Sequence, residues 1–150
     1  MNINKKNPFS LNVKYFTDDR GVLSFCNEFN LSKFKRFYVI KNFHTNFIRA
    51  WHAHKKEDKA FMITKGSFQV SAVKIDNWKN PSKSSKVHNF YLSECDNKII
   101  FVPRGFANGL RSLEPKSSLI VFSSSTLDES LKDDFRYTYN YWNPWTVNYR

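Results

Sequence analysis

The pattern of apolar and polar positions along the chain predicts many short β-strands separated by turns. Apolar or alternating runs recur at residues 12–16, 22–25, 34–41, 47–54, 59–64, 67–75, 86–92, 98–102 and 118–123. Lys65 and Gly66 lie between two of these runs and indicate a hairpin turn. Because many short strands at regular spacing are typical of a sandwich or a barrel, we expect an all-β fold.

Three segments depart from the plain strand pattern. Residues 126–134 predict the one helix, with Thr126 as its N-cap and Glu129 as the capping-box partner. Within residues 67–75 the apolar alternation shifts register, which predicts a β-bulge. Residues 137–142 are rich in tyrosine and tryptophan, and we expect them to cover the mouth of a barrel or an interface.

Length and composition indicate one domain, residues 1–150, with a substantial core. Hydrophobic residues make up 41% of the chain and include fifteen phenylalanines, which is too apolar for a disordered chain. No apolar stretch approaches the ~20 residues of a membrane span. The polar residues 1–10 have no apolar signal core, and Cys26 and Cys95 form no CxxC pair, so we expect free thiols and a cytoplasmic location.

The charge balance predicts an anionic partner. The chain carries 24 basic and 13 acidic residues, a formal charge of +11, and such an excess attracts polyanions. The lysines are scattered, and no nucleic-acid-reading motif is present, so we expect no nucleic acid partner and favour a nucleotide diphosphate. A basic surface that serves only solubility is the alternative.

The segment RAWHAHKKEDK, residues 49–59, is the richest in chemically useful side chains. On a strand His52 and His54 point to the same side, because the side-chain period is two. Two imidazoles on an inner face form a metal site or an acid–base site; two structural histidines near a turn are the third possibility. A metal would need further ligands, of which Glu57 or Asp58 could supply one.

An acid–base site needs groups that tune the imidazole and stabilise charge. A histidine with a pKa near ~6.5 exchanges protons at neutral pH. Lys59 could stabilise an enolate as it forms. Asp133 or Asp134 could orient the imidazole of His52 through its far nitrogen, although solvated acids at a helix end are the alternative.

Two arginines are candidates for binding phosphate. Arg49 could clamp a phosphate with its guanidinium, although in a regular strand it would face away from His52. Arg20 follows two aspartates in a turn and is a second candidate, with pairing to a neighbouring acid as the alternative.

Three segments, in this order, resemble motifs of the cupin nucleotide-sugar enzymes, namely the dTDP-4-dehydrorhamnose 3,5-epimerases and the related, WxcM-like dTDP-sugar 3,4-ketoisomerases. DRG at residues 19–21 resembles their early signature, and RAWH at residues 49–52 resembles R-G-x-H of the epimerases. RAWHAHK at residues 49–55 resembles R-G-x-H-A-H-K of the ketoisomerases, and PRGFANG at residues 103–109 resembles P-R-G-F-A-H-G of the epimerases. The resemblance spans roughly residues 16–142.

The resemblance implies a single cupin-type, jelly-roll antiparallel β-barrel that pairs as a homodimer, and it assigns roles to nine residues. Five are implied to be catalytic: His52 as the base, His54, Tyr38, Lys59 near the sugar carbonyl, and Asp134 supporting the base. Four are implied to bind substrate: Arg20, Arg49, Arg104 and Asn108. Of these, Arg20 and Arg49 are implied to bind the nucleotide phosphates.

Two positions depart from the family pattern. In metal-binding cupins the position of Asn108 is a histidine, and an amide is a poor ligand for a transition metal, so we expect no metal and no other cofactor. Phe122 stands where the epimerases place their catalytic tyrosine and has no proton to give. An epimerase mechanism would then need another tyrosine, such as Tyr38, Tyr137 or Tyr139.

The expected function is epimerisation at C3 and/or C5 of a nucleotide-diphosphate 4-keto-6-deoxy sugar, in bacterial surface polysaccharide synthesis such as that of lipopolysaccharide O-antigen. The implied mechanism is proton abstraction by His52 from a carbon next to the C4 carbonyl. A 3,4-ketoisomerase acting on the same substrate class is one alternative. A non-catalytic nucleotide-sugar binding protein is the other.

Overall fold

The computed structural model describes residues 6–146, so the first half of the polar segment 1–10 lies outside the described residues. Its strands are β1 (Phe9–Asn12), β2 (Lys14–Asp18), β3 (Gly21–Phe25), β4 (Arg36–Asn42), β5 (Ile48–Ala53), β6 (Lys59–Lys65), β7 (Ser67–Lys74), β8 (Val87–Ser93), β9 (Lys98–Val102), β10 (Phe106–Ser112), β11 (Ser117–Ser123) and β12 (Phe135–Arg136). The α-helix in this part of the chain, α1, is Leu127–Leu131. The predicted all-β fold is confirmed. No helix within residues 6–146 has the length and apolar character that crossing a membrane requires.

Two five-stranded antiparallel sheets face each other. The first has the strand order β1-β9-β6-β11-β4 and the second β12-β5-β10-β7-β8, while β2 and β3 form a separate hairpin. Because side chains alternate along each strand, one set from each sheet points into the space between them. There Phe61 and Leu119 of the first sheet pack in one apolar cluster with Phe68 and Leu110 of the second.

The aromatic C-terminal segment covers the outer face of the second sheet. Trp142 and Trp145 pack against Trp51 of β5, with ring centroids 5.5 and 5.2 Å away. The Trp51 indole Nε1 donates to the carbonyls of Tyr139 and Trp142 at 3.2 and 3.1 Å. The segment therefore covers a face of the second sheet. Within one chain it does not lie over the mouth of the barrel, so that part of the prediction is wrong.

Two local expectations have different outcomes. The capping box of Thr126 and Glu129 is present at the start of α1. The helix, however, ends at Leu131, three residues before the predicted end. The predicted bulge in β7 is wrong, because β7 pairs with β8 and β10 in unbroken register. Both faces of β7 are buried, so apolar residues occupy both and the alternation fades without any backbone irregularity.

Candidate active site

A cavity of about 190 Å³ opens between the two sheets at one end of the core. All five residues that the resemblance implies to be catalytic line it. Four further lining residues were not predicted from the sequence. The full lining is Arg36, Tyr38, His52, His54, Lys59, Ser130, Leu131, Asp134 and Arg136.

The register of three neighbouring strands forms one wall of the cavity. Ser123 of β11 pairs with Arg36 of β4 on one side and with Lys59 of β6 on the other. Tyr38 lies two residues after Arg36 and therefore shares its inward face. The alternation along β4 was the available signal for Arg36. His52, on β5, belongs to the opposite sheet.

A bulge in β5 brings Arg49 to the same face as His52. His52 pairs with Asn108 and Arg49 pairs with Leu110, so three steps on β5 oppose two steps on β10. An extra residue in one strand turns the following side chains to the other face. Arg49 therefore does not face away from His52. Its Nε donates to Oδ1 of the buried Asn42 at 3.0 Å, and Arg49 does not itself line the cavity.

His52 has the environment of a neutral imidazole that can accept a proton. Burial, and then the nearby positive charges of Lys59 and Arg136, lower the pKa of His52, while the charge of Asp134 opposes them. Nδ1 of His52 lies 3.7 Å from Oδ1 of Asp134. That oxygen is buried and has no hydrogen-bond partner among residues 6–146, so it is free to accept one when His52 becomes protonated.

Asp134 is held as a carboxylate next to His52. Its Oδ2 accepts from Nε of Arg136 at 2.7 Å. Burial raises the pKa of Asp134, but the hydrogen bond and positive charge of Arg136 outweigh burial, and the pKa lies below its ordinary value. Arg136 pairs with His52 between β12 and β5, a contact that no local sequence pattern indicates.

His54 is engaged at both ring nitrogens. Nδ1 lies 2.7 Å from the carbonyl oxygen of Asp133, and Nε2 lies 3.1 Å from Nζ of Lys59. A carbonyl can only accept, so Nδ1 carries the proton and Nε2 accepts from the ammonium. Burial, and then the charge of Lys59, lower the pKa of His54. Burial also lowers the pKa of Lys59, and the negative charge of Glu57 opposes that effect.

Tyr38 keeps its proton at neutral pH. Burial, and then the negative charge of Glu57, raise the pKa of Tyr38 to about 12. The guanidinium of Arg36 lies 5.2 Å from the centroid of the tyrosine ring. Tyr38 is therefore a proton donor on the sheet opposite the one that carries His52.

The residues predicted to bind substrate do not all lie close to the cavity. Asn108 is buried and donates to the backbone oxygen of His52 at 2.9 Å. Arg104 instead pairs with Asp58 at 2.7 Å and does not line the cavity. Arg20 is at the tip of the β2–β3 hairpin, paired with a neighbouring aspartate, and its side chain is 85% exposed. Within one chain the structure therefore leaves Arg20 and Arg104 outside the cavity.

Phe122 does not occupy the cavity. Its ring packs on the outer side of the first sheet against Phe29 and Phe34, at centroid distances of 5.0 and 5.8 Å. The neighbouring Val121 and Ser123, which alternate with it, are the buried inward residues of β11. The resemblance placed Phe122 at the position of the epimerases' catalytic tyrosine, but in this structure its side chain points away from the cavity.

The acidic residues considered as metal ligands have other partners. Oε1 and Oε2 of Glu57 accept from the hydroxyls of Ser123 and Ser130 at 2.6 and 2.7 Å, and Asp58 pairs with Arg104. In residues 6–146 no group of three or more His, Cys, Asp or Glu side chains is arranged to hold a metal ion.

Comparison with known proteins identifies relatives of this chain. The model of the family described as FdtA, WxcM-like, C-terminal, matches residues 7–143. The spore coat polysaccharide biosynthesis protein SpsL of Bacillus subtilis (strain 168) is 27% identical over 90 residues, which is 59% of this chain and 58% of that protein. The match thus spans less than two thirds of the relative's length.

Solved structures share the fold. A 3,4-ketoisomerase from Helicobacter canadensis superposes with a TM-score of 0.69 at 21% identity, covering 89% of this chain and 93% of that one. A dTDP-4-dehydrorhamnose 3,5-epimerase from Bacillus anthracis str. Ames, with TDP and PPi bound, superposes with a TM-score of 0.75 at 20% identity, covering 98% and 90%. These similarities confirm the predicted cupin-type fold.

Proposed function

The chain belongs to the family described as FdtA, WxcM-like, C-terminal, and from that premise we propose that it is an isomerase of nucleotide-diphosphate 4-keto-6-deoxy sugars. The proposed reaction is epimerisation at C3 and/or C5, by proton removal next to the C4 carbonyl. The structural similarity to a dTDP-4-dehydrorhamnose 3,5-epimerase and to a 3,4-ketoisomerase supports this substrate class. The sequence similarity to a spore coat polysaccharide biosynthesis protein supports a role in making a surface polysaccharide.

The observation that carries the proposal is the placement of a base and an acid on opposite walls of one cavity. His52 on the second sheet is neutral, and the carboxylate of Asp134 lies next to its Nδ1. Tyr38 on the first sheet keeps its proton. Epimerisation removes a proton from one face of the sugar and returns one to the other face, so it needs two such groups.

Lys59 supplies the positive charge that the reaction requires. Removing a proton beside a carbonyl places negative charge on the carbonyl oxygen, and a preorganised cation stabilises that enolate. An ammonium has three N–H donors. One is directed to Nε2 of His54 and another faces Glu57, 3.8 Å away, which leaves one for the substrate oxygen.

A 3,4-ketoisomerase is the second candidate, favoured by the presence of His54 in the same cavity as His52. Ketoisomerisation moves protons between C3 and C4 through an enediol, and two imidazoles on one wall suit that transfer. In this arrangement, however, the lone pair of His54 is occupied by Lys59. Only His52 is free to act as a base, and this favours epimerisation.

The test is proton exchange in deuterated water. Parent protein, His52→Asn and the matched control His44→Asn are incubated with dTDP-, UDP- and GDP-linked 4-keto-6-deoxy sugars and followed by NMR. We expect deuterium at C3 or C5 with the parent and the control, and a rate about 10²–10⁴-fold lower with His52→Asn. A carbonyl shifted to C3 would establish the ketoisomerase instead. Nucleotide binding without any exchange would establish a binding protein, and unchanged exchange in His52→Asn would refute His52 as the base.

We further propose that the chain works as a homodimer, joined through the β2–β3 hairpin. The hairpin exposes Val22 by 66%, and β4, whose outer edge has no neighbour in the described sheets, exposes Phe37 by 66%. Apolar side chains on a free edge strand favour pairing with another strand. A partner hairpin added at β4 would bring its Arg20 towards the wall that carries Tyr38. Light scattering should give a dimer for the parent and a monomer for Val22→Lys; a monomeric parent contradicts the proposal.

A further inference from the structure

Glu57 is a buried carboxylate that the reaction described above does not use. It lies in the connection between β5 and β6, and its side chain has no exposed surface. Serine hydroxyls donate to both of its oxygens. A carboxylate taken out of water is costly unless hydrogen bonds and opposite charges compensate, so its surroundings are informative.

Basic groups surround this carboxylate. Nδ1 of His54 lies 3.2 Å from Oε2, while Nζ of Lys59 and a guanidinium nitrogen of Arg36 lie 3.8 and 3.7 Å from Oε1. Lys59 and Arg36 both line the cavity, and so does His54. Glu57 therefore contacts residues that line the cavity but does not itself line the space that a substrate would occupy.

We propose that Glu57 is a positioning residue, whose carboxylate anchors His54 and Lys59 in one buried charged chain and so presents the Lys59 ammonium to the substrate carbonyl. The effect of Glu57 on catalysis rests on the proposed function. The anchoring of His54 and Lys59 by Glu57 is a property of the ligand-free protein and can be measured without a substrate. The carboxylate attracts the N–H at Nδ1 of His54, which the carbonyl of Asp133 also receives. The proton is thereby kept on Nδ1, and Nε2 is left to accept from Lys59.

The charges that act on Lys59 come from three different segments, namely the β5–β6 connection, β4 and the connection between α1 and β12. Glu57 and Asp134 are negative, and Arg36 is positive. Burial lowers the pKa of Lys59, and Glu57 is the largest influence that opposes burial. The other titratable groups that line the same cavity are His52, His54, Tyr38 and Arg136. Removing the charge of Glu57 should therefore make Lys59 lose its proton at lower pH.

The test replaces the carboxylate with an amide of the same shape. In Glu57→Gln, ¹³C and ¹⁵N NMR of the ligand-free protein should show the pKa of Lys59 lowered by about one to three units. The ring of His54 should keep its Nδ1–H tautomer, because the carbonyl of Asp133 still accepts from Nδ1. The high-pH limb of the exchange rate should move down by the same amount as the pKa of Lys59, with nucleotide affinity unchanged. Glu94→Gln, at an exposed site, is the matched control and should behave as the parent.

The outcomes separate the two proposals. If no sugar reacts but Glu57→Gln lowers the pKa of Lys59, the anchoring stands and the proposed function fails. If the pKa of Lys59 in a folded Glu57→Gln equals that of the parent, the anchoring is refuted whatever the activity. Should Glu57→Gln not fold, Glu57→Asp keeps the charge one methylene further away. It should lower the pKa of Lys59 by a smaller amount, and an unchanged value there refutes the proposal as well.

Discussion

Replacing Asp134 with asparagine should weaken His52 as a base without altering the shape of the cavity. The 3.7 Å separation of Asp134 Oδ1 and His52 Nδ1 gives an attraction of about 4.5 kcal/mol at an effective dielectric of about 20, and about 1 kcal/mol in bulk water. The side chains of His52 and Asp134 are 38% and 19% exposed, respectively, so we take an intermediate value of about 2 kcal/mol. That corresponds to a fall of about 1.5 in the pKa of His52. Because His52 carries only part of the positive charge in the transition state, the rate should fall by at most about 30-fold.

The assay is a pair of NMR measurements on Asp134→Asn. The ring signals of His52 are titrated in the ligand-free protein, and deuterium incorporation into the sugar is timed at a pH where His52 is neutral in both proteins. Arg136 loses its carboxylate partner in this variant, and its unpaired charge lowers the pKa of His52 in the same direction. Asp128→Asn, an exposed change on α1, is the control. An unchanged pKa of His52 together with an unchanged rate would show that Asp134 does not support the base.

Four further predictions follow from the same structure. Arg49→Ala should weaken binding of dTDP or UDP, and the difference from the parent should shrink as salt is added, because phosphate pairing is screened; calorimetry at two salt concentrations measures both, and equal affinities contradict the phosphate role. Gly109→Ala should lower the free energy of unfolding by about 1–3 kcal/mol, because a Cβ there would lie 2.6 Å from that of Ala50 and 3.0 Å from Trp145; an unchanged urea midpoint contradicts this packing argument. Removing metal with a chelator should leave exchange unchanged, and bound stoichiometric zinc or iron whose removal abolishes exchange would reverse that expectation. The pKa values of His52 and His54 are lowered in the folded chain, so the unfolded chain binds protons first and stability should be lost as the pH falls through about 6.5; urea unfolding at several pH values should show a smaller loss in His54→Asn than in the parent.

The sequence predicts the strands well where apolar residues alternate or form a continuous run, and poorly where polar residues and glycine interrupt them. β9 was predicted with its observed bounds, Lys98–Val102. β10 was not predicted as a strand, because glycine, asparagine and arginine interrupt its apolar residues. Gly109 and Arg111 fit there because the C-terminal segment covers their face of the strand, where Nη1 of Arg111 donates to the carbonyl of Trp145. Such burial depends on a segment distant in the chain, and local periodicity does not contain it.

The candidate site was also predicted only in part from the sequence. The alternation of the segment 49–55 places His52 and His54 in one cavity, as predicted from the strand period. The bulge that turns Arg49 to the face of His52 depends on pairing with β10, which residues 49–52 do not encode by themselves. Arg136 reaches His52 only because β12 adds to the edge of β5. Contacts made by register across strands are therefore the part that a single sequence did not reveal.

The two histidines illustrate how the surroundings of a ring, and not its position in a motif, decide its chemistry. His52 and His54 lie two residues apart, and burial lowers the pKa of both. In His54 one nitrogen is fixed by a backbone carbonyl and the other by an ammonium, so accepting a proton would require Lys59 to move away. In His52 the nearest acidic atom is a buried carboxylate oxygen with no other partner in the described chain. Protonation of His52 would satisfy that oxygen, whereas protonation of His54 would place two positive charges in contact. The same HxH spacing therefore gives one ring whose lone pair is open to a proton and one ring whose lone pair is held by a lysine.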